Sequence, residues 1–255
     1  NEIGTELAQL ESAEHDIDAL RAEEEERRLR LGEAAAELSA ARRAAAQQLA
    51  REVERSIHEL NMGHAVFEVR FDTQLDDEGV SLLGSERVAI DHTGIDRVVF
   101  YLATNRGEEL RPLARIASGG ETARLMLALK SILSTADETP VLVFDEVDVG
   151  VGGRSGQVVG EKLWDLTARH QAIVISHLPQ IAAFADHHVT LIKEEEGDRT
   201  VTTAREVAGD ARVDEVAAML DGLPITPQSR ASAVALLERA ASWKVARRRG
   251  ATEVG

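Results

Sequence analysis

The stretch Pro140-Val141-Leu142-Val143-Phe144-Asp145-Glu146 sets four apolar residues between a proline and two adjacent carboxylates. A run of that length and composition is expected as a central strand buried on both faces of a sheet. Open α/β sheets bind their ligands beyond the C-terminal ends of such strands, and that is where the two acids fall. One reading divides a task between them: Asp145 holds magnesium, directly or through water, while Glu146 orients and deprotonates an attacking water. The other reading is a surface turn carrying ordinary acids.

Downstream, Ala172-Ile173-Val174-Ile175 reads as a second buried strand and ends in Ser176-His177, before Leu178-Pro179. A histidine at that edge can donate to a γ-phosphate or hold an attacking water, although a lone histidine is more often structural. The remaining histidines, including His187-His188, have no acidic or cysteine partners at metal-ligand spacing and read as surface or packing residues. Upstream, Ser118-Gly119-Gly120-Glu121 precedes an apolar helix expected over Thr122 to Leu133. A capping box accounts for Ser118 and Glu121. It does not account for two glycines in a first turn, where each costs up to about 1 kcal/mol relative to alanine. Glycine there lets an anionic ligand reach the N–H groups at the positive end of the helix.

Composition narrows the field. The chain of 255 residues has no cysteine, which excludes disulfide frameworks, thiolate zinc sites and a cysteine nucleophile. Hydrophobic residues make up 44% and aromatics only 3%, so an aliphatic core is expected. A formal charge of −16 argues against gripping nucleic acid by bulk positive charge, so any such contact must be local. The compact basic group is Lys244, Arg247, Arg248 and Arg249, for which a solubilising tail is an equal reading. No apolar run approaches the roughly 20 residues that span a bilayer, and no signal peptide opens the sequence. A cytosolic protein without membrane contact is expected.

Residues 1–61 read as a coiled-coil arm. They lack proline, are rich in Ala, Glu, Arg and Leu, and space Ile3, Leu7, Leu10, Ile17, Leu31, Ala35, Leu38, Ala45 and Leu49 as a heptad seam. Charged residues such as Glu14, Arg21, Glu24, Arg28 and Arg42 occupy seam positions, so the coil is expected to loosen around Glu23 to Glu26. At 1.5 Å per residue such a helix reaches roughly 85 Å and needs a partner helix. The absence of an initial Met suggests a fragment whose upstream part carries the other coil strand. Residues 62–243 follow as a head. Period-two alternation marks a strand from Ala65 to Phe71, and strands at Arg87 to Asp91 and Asp96 to Thr104 are expected to join it in one antiparallel sheet. Beyond Ser118 helices alternate with buried strands, an α/β layer. His188 to Glu194 and Val201 to Val207 pair as a hairpin, helices cover about 212–221 and 227–243, and residues 244–255 form a basic tail.

The order of SGGE at a helix start, DE at a strand end and SH at the next strand end is far more specific than any one element. With Leu113-Ala114-Arg115-Ile116-Ala117-Ser118-Gly119-Gly120-Glu121, Phe144-Asp145-Glu146-Val147-Asp148-Val149-Gly150 and Ser176-His177-Leu178-Pro179-Gln180, the chain resembles an ATP-binding-cassette (ABC) ATPase head of the SMC-like type. The resemblance runs from about Ala65 onward, and the preceding coil fits the descending arm of that family. It implies the α/β C-terminal half of an ABC/SMC-type head, a P-loop NTPase fold with an antiparallel portion, preceded by a long coiled-coil helix. It further implies that Ser118, Gly119, Gly120 and Glu121 form the signature motif, which contacts ATP held by the opposite protomer. Asp145 becomes the Walker B magnesium ligand, Glu146 the catalytic acid and His177 the switch histidine, with Asp148 a nucleotide-contacting residue of the D-loop region. Many cassette ATPases have aspartate where Gly152 stands, which leaves the role of that loop open.

No G-x-x-x-x-G-K-[ST] occurs, and Gly150-Val151-Gly152-Gly153-Arg154 lacks the lysine. The phosphate-cradling loop is therefore expected on an N-terminal half, and this chain is expected to be half an active site. The resemblance implies ATP and Mg²⁺ as cofactors and, as partners, that N-terminal half, a second head in a homodimer bridged by ATP, and DNA. The implied activity is ATP-driven head dimerisation and hydrolysis in recombinational repair of DNA double-strand breaks, at the bacterial nucleoid. A non-catalytic coiled-coil scaffold, an SMC head and a transporter subunit stay open as alternatives. Retention of Asp145, Glu146 and His177 together weighs against the first, SMC heads usually lack the switch histidine, and transporter subunits lack a long coil.

Overall fold

A computed structural model describes residues 2–82, 86–116, 119–196 and 199–252, without side-chain placement for 2–14, 194–196 and 250–252. The chain forms two compact units, one from residues 1–51, 67–102 and 110–114, the other from 52–66, 103–109 and 115–255.

The first unit contains most of helix α1 (Glu2–Glu59). Helix α1 runs unbroken through Glu23 to Glu26, where the acidic run is matched one turn on by arginines. Glu23–Arg27 at 2.5 Å, Glu24–Arg28 at 2.8 Å and Glu26–Arg30 at 2.6 Å place each acid N-terminal to its base, the favourable i,i+4 order. Strands β1 (Val66–Asp72), β4 (Arg97–Ala103) and β5 (Arg111–Pro112) form a sheet in the order β1-β4-β5, while β2 (Leu75–Ser81) pairs with β3 (Arg87–Val88) in a separate antiparallel ladder. The expected single sheet is thus corrected: the strand at Arg87 is short and belongs with β2. That strand escaped the sequence reading because Leu75-Asp76-Asp77-Glu78 is exposed and shows no alternation, only Gly79 and Val80 being buried.

One face of α1 is used for packing. Ala35 joins Val80, Val88 and Ile95 in a small core. Nearby, the wholly buried carboxylate of Asp96 accepts a 2.7 Å hydrogen bond from Ser39 and lies 3.5 Å from Arg42 and 3.7 Å from Arg43. A charge so enclosed requires such partners. Ile17, Leu20, Leu31 and Leu38 remain exposed along the helix.

The second unit carries α2 (Gly119–Leu133), β6 (Val141–Phe144), α3 (Gly153–Leu166), β7 (Gln171–Val174) and α4 (Pro179–Ala182), then β8 (His188–Glu196), β9 (Arg199–Val207), α5 (Gly209–Asp221) and α6 (Pro227–Thr252). β6 and β7 run parallel, in register from Val141↔Gln171 to Phe144↔Val174. Here the expectation of burial on both faces is corrected. Leu142 and Phe144 are buried, whereas Val141 and Val143 are 42% and 64% exposed and share that state with Ile173 and Ile175. The apolar run is real, but the described residues cover only one side of it. β8 and β9 pair antiparallel along their whole length, as expected, from His188↔Val207 to Glu196↔Arg199.

Helices α5 and α6 enclose a core of Val216, Ala217, Ala233, Leu236 and Ala240 with Ala183 and Phe184. Trp243 meets Trp164 and Phe184 edge-on at 5.7 and 5.5 Å, a favourable aromatic geometry. Reciprocal hydrogen bonds between Thr226 and Ser229, at 3.0 and 2.9 Å, fix the start of α6. The helix continues through the segment expected as a loose basic tail. Lys244 pairs with Asp186 at 2.8 Å, Arg247 grips Asp165 with two 2.9 Å bonds, and Arg248 lies over the Trp164 ring. Two of the four clustered cations are therefore already neutralised locally. Among the described residues no helix is long and apolar enough to cross a membrane.

Candidate active site

Strand β6 delivers Asp145 and Glu146 to its C-terminal end, and the ladder extends one bond beyond β7 through Ile175 N–H to the Phe144 carbonyl at 2.9 Å. That extension leads the second strand into Ser176 and His177, which contact Asp148 in the turn after the two acids. Asp145 Oδ1 accepts the Glu146 N–H at 2.9 Å. Glu146 itself has φ of 57°, a left-handed conformation that costs an L-residue about 1–2 kcal/mol. Strain of this kind clusters where a side chain must be aimed. The chain then turns: Val149 N–H bonds to the Glu146 carbonyl at 3.1 Å, and Val151 N–H to the Asp148 carbonyl at 3.0 Å.

The start of α2 presses against this turn. A Cβ on Gly120 would lie 2.9 Å from Val149 Cβ and 3.2 Å from the carbonyl oxygens of Glu146 and Val149, so glycine is required there by packing. A Cβ on Gly119 would come within 2.2 Å of Glu146 Oε2, which places the helix start against the Glu146 carboxylate. Ser118 lies outside the described residues. Glu121 is half-buried in the first turn of α2.

Arg124 escaped the sequence reading. It is buried and donates from Nη1 to the Val149 carbonyl, so it pins α2 to the acid-bearing turn. Burial lowers its pKa, and the nearby Glu121 charge opposes that shift. The signal was present in the sequence as an arginine among Leu125, Leu127 and Leu129 on an apolar helix. Asn61, also missed, donates to the Gly150 carbonyl at 3.3 Å.

Asp148, expected to contact nucleotide, turns elsewhere. Its side chain is 2% exposed, and Oδ2 accepts the Ser176 hydroxyl at 2.6 Å and the His177 N–H at 2.8 Å, with His177 Nδ1 at 3.1 Å. Gly119, Gly120, Asp145, Glu146, Asp148 and His177 are thus brought together within one unit. Among the described residues no group of three or more His, Cys, Asp or Glu could hold a metal. Magnesium nevertheless fits the donor present, because it commonly takes one or two protein carboxylates and completes its shell with waters and substrate phosphates. Asp145, exposed at the strand end with one oxygen on the backbone, is such a donor. A cleft of about 490 Å³ adjoins it, bounded by Gly119, Thr122, Met126 and Phe144.

Motif order, acids at the C-terminal end of a parallel strand pair and a long leading helix define an α/β protein whose site resembles the C-terminal half of an ABC/SMC-type ATPase head. The sequence relatives are more particular: they are DNA repair protein RecN. The chain is 35% identical over 242 residues to RecN of Bacillus subtilis, covering 94% of this chain and 42% of that protein. It is 40% identical over 239 residues to RecN of Treponema pallidum, covering 92% and 40%. RecN of Mycobacterium tuberculosis matches at 39% over 247 residues, covering 94% and 42%. The chain therefore spans about two-fifths of the length of the curated relatives it matches. No protein-family profile matches. Among solved structures, an Smc head domain with coiled coil and joint from Pyrococcus yayanosii aligns over 66% of this chain and 28% of that one, with TM-score 0.44 and 14% identity. The SMC head domain from Thermotoga maritima aligns over 65% and 49%, with TM-score 0.31 and 22% identity.

Proposed function

We propose that this chain is the signature, Walker B and switch-histidine lobe of an ATPase head that works in recombinational repair of DNA double-strand breaks. The observation that carries the reading is the contact between the Gly119-Gly120 helix start and the Glu146–Val149 turn, with His177 held on that same turn. Three separate motifs thereby become one surface. On it, Glu146 would take a proton from an attacking water, and Asp145 would hold Mg²⁺, whose charge offsets that of the phosphate oxygens. Gly119, Gly120 and Glu121, with Ser118 ahead of them, would meet the nucleotide of an opposing head through backbone N–H groups at the positive end of α2. ATP would then join two heads, and hydrolysis would remove contacts from both at once.

Two uncovered surfaces support the partners this requires. The face bearing Val141, Val143, Ile173 and Ile175 suits a further layer, which an N-terminal half carrying the Walker A loop would supply. Ile17, Leu20, Leu31 and Leu38 suit a second coil helix. DNA contact and a location at the bacterial nucleoid belong to this proposal through the named role of the RecN relatives. In a protein uniting this chain with its Walker A half, Glu146→Gln should bind ATP, lose turnover and accumulate ATP-dependent dimers. Hydrolysis at the unmodified rate would show that Glu146 is not the base.

A further inference from the structure

The Asp148 carboxylate is the one acid of the site that a ligand cannot reach directly, and its contacts all converge on one neighbouring segment. We propose that Asp148 is a positioning residue for His177, fixing which ring nitrogen carries the proton and which faces the nucleotide. This rests on the ATPase reading above. Three observations carry it. Oδ2 receives both the Ser176 hydroxyl and the His177 N–H, so the acid fixes the backbone on which the imidazole is mounted. The same oxygen lies 3.1 Å from Nδ1, while the His177 side chain is 77% exposed, so one edge of the ring is against a carboxylate and the other is open. Ser176 Oγ also accepts the Leu178 N–H at 3.1 Å, which closes the loop ahead of α4.

A negative oxygen repels a lone pair and attracts an N–H, so this placement selects the Nδ1–H tautomer and leaves the Nε2 lone pair outward. Nε2 is then an acceptor for a water hydrogen in the neutral ring. Because Asp148 sits in the turn that begins at Glu146, its hydrogen bonds tie the backbone of His177 to the turn that carries the base. Asp148 acts through His177 and need not touch the ligand.

The test uses whole protein containing both halves of the head, labelled with ¹⁵N-histidine and assigned with His177→Ala. The His177 ring should report Nδ1–H, and Asp148→Asn, which can keep an oxygen for Ser176 and the backbone but loses the negative charge, should weaken that preference. Turnover should fall about tenfold or more in Asp148→Asn, while ATP affinity changes little. The Asp148→Asn/His177→Ala pair should be no slower than His177→Ala within about twofold, the non-additivity expected of coupled residues. An Nε2–H ring in the unmodified protein, additive losses, or weakened ATP binding in Asp148→Asn would each overturn the proposal. Full turnover in His177→Ala, with the Nδ1–H ring observed in the unmodified protein, would instead sink the catalytic role of His177 and leave the positioning by Asp148 standing. Should Asp148→Asn unfold, the ring tautomer of the unmodified protein decides the matter alone.

Discussion

Glu146 is held in a backbone conformation that its side chain does not favour, and the consequence is a measurable opposition between stability and activity. With φ at 57°, the residue gives up about 1–2 kcal/mol relative to one free of a Cβ. Glycine removes that cost but loses about 0.4–1 kcal/mol through the greater freedom of the unfolded chain. Glu146→Gly should therefore be more stable than Glu146→Ala by a net of about 0.5–1 kcal/mol, which for a domain of this size raises Tm by roughly 1–4 °C. Alanine is the proper reference, because it lacks the carboxylate and keeps the strain. Urea unfolding without nucleotide measures the difference directly, and ATP turnover of the whole protein measures the other half, since both variants should be inactive. If Glu146→Gly is no more stable than Glu146→Ala, the turn does not store strain and the geometric argument for Glu146 fails.

Two further outcomes follow from other parts of the site and its support. In the proposed ATPase, Ser118→Arg adds a cation just ahead of α2 in sequence, where the phosphate of an opposing head would approach. Labelled ATP should still bind a single head, while analytical ultracentrifugation shows dimers lost; loss of ATP binding with dimers intact would reduce Ser118 to Glu121 to a helix cap. Asp137 accepts from Lys130, the Thr139 hydroxyl and the Thr139 N–H, and these hold its carboxyl far below the usual carboxylate range, the Lys130 bond contributing most. Because the folded value is the depressed one, its stabilisation is complete above the unfolded pKa of about 4 and fades as pH falls below that. Asp137→Asn should accordingly be less stable than the unmodified protein at pH 7 and converge with it in strong acid; a constant difference across that range would contradict the assignment.

Much of the fold could be read before the coordinates because its signals were local. The strand ending in Asp145-Glu146, the hairpin of β8 and β9 and the helical arm each carry their own periodicity. The failures share a physical cause, which is that the deciding interaction was distant in sequence. β2 is an acid-rich ladder whose pairing, not its side chains, makes it a strand. Lys244 and Arg247 belong to α6 because Asp186 and Asp165 are there to receive them. At the site, the strand-end positions of Asp145, Glu146 and His177 were legible, while Arg124 showed only as an arginine in an apolar helix, its partner, the Val149 carbonyl, lying on a distant turn. The hydrogen bonds of Asp148 reach a loop from another strand, which no spacing discloses.

The central claim is that this chain presents a complementary half of an ATPase site. Magnesium-dependent ATP turnover, measured on the purified chain and again in the presence of the Walker A half, tests it most directly. The account predicts no hydrolysis by this chain alone, where no glycine loop and lysine hold the β- and γ-phosphates, and turnover abolished by Glu146→Gln once the two halves are combined. Measurable magnesium-dependent hydrolysis by the chain alone would contradict it.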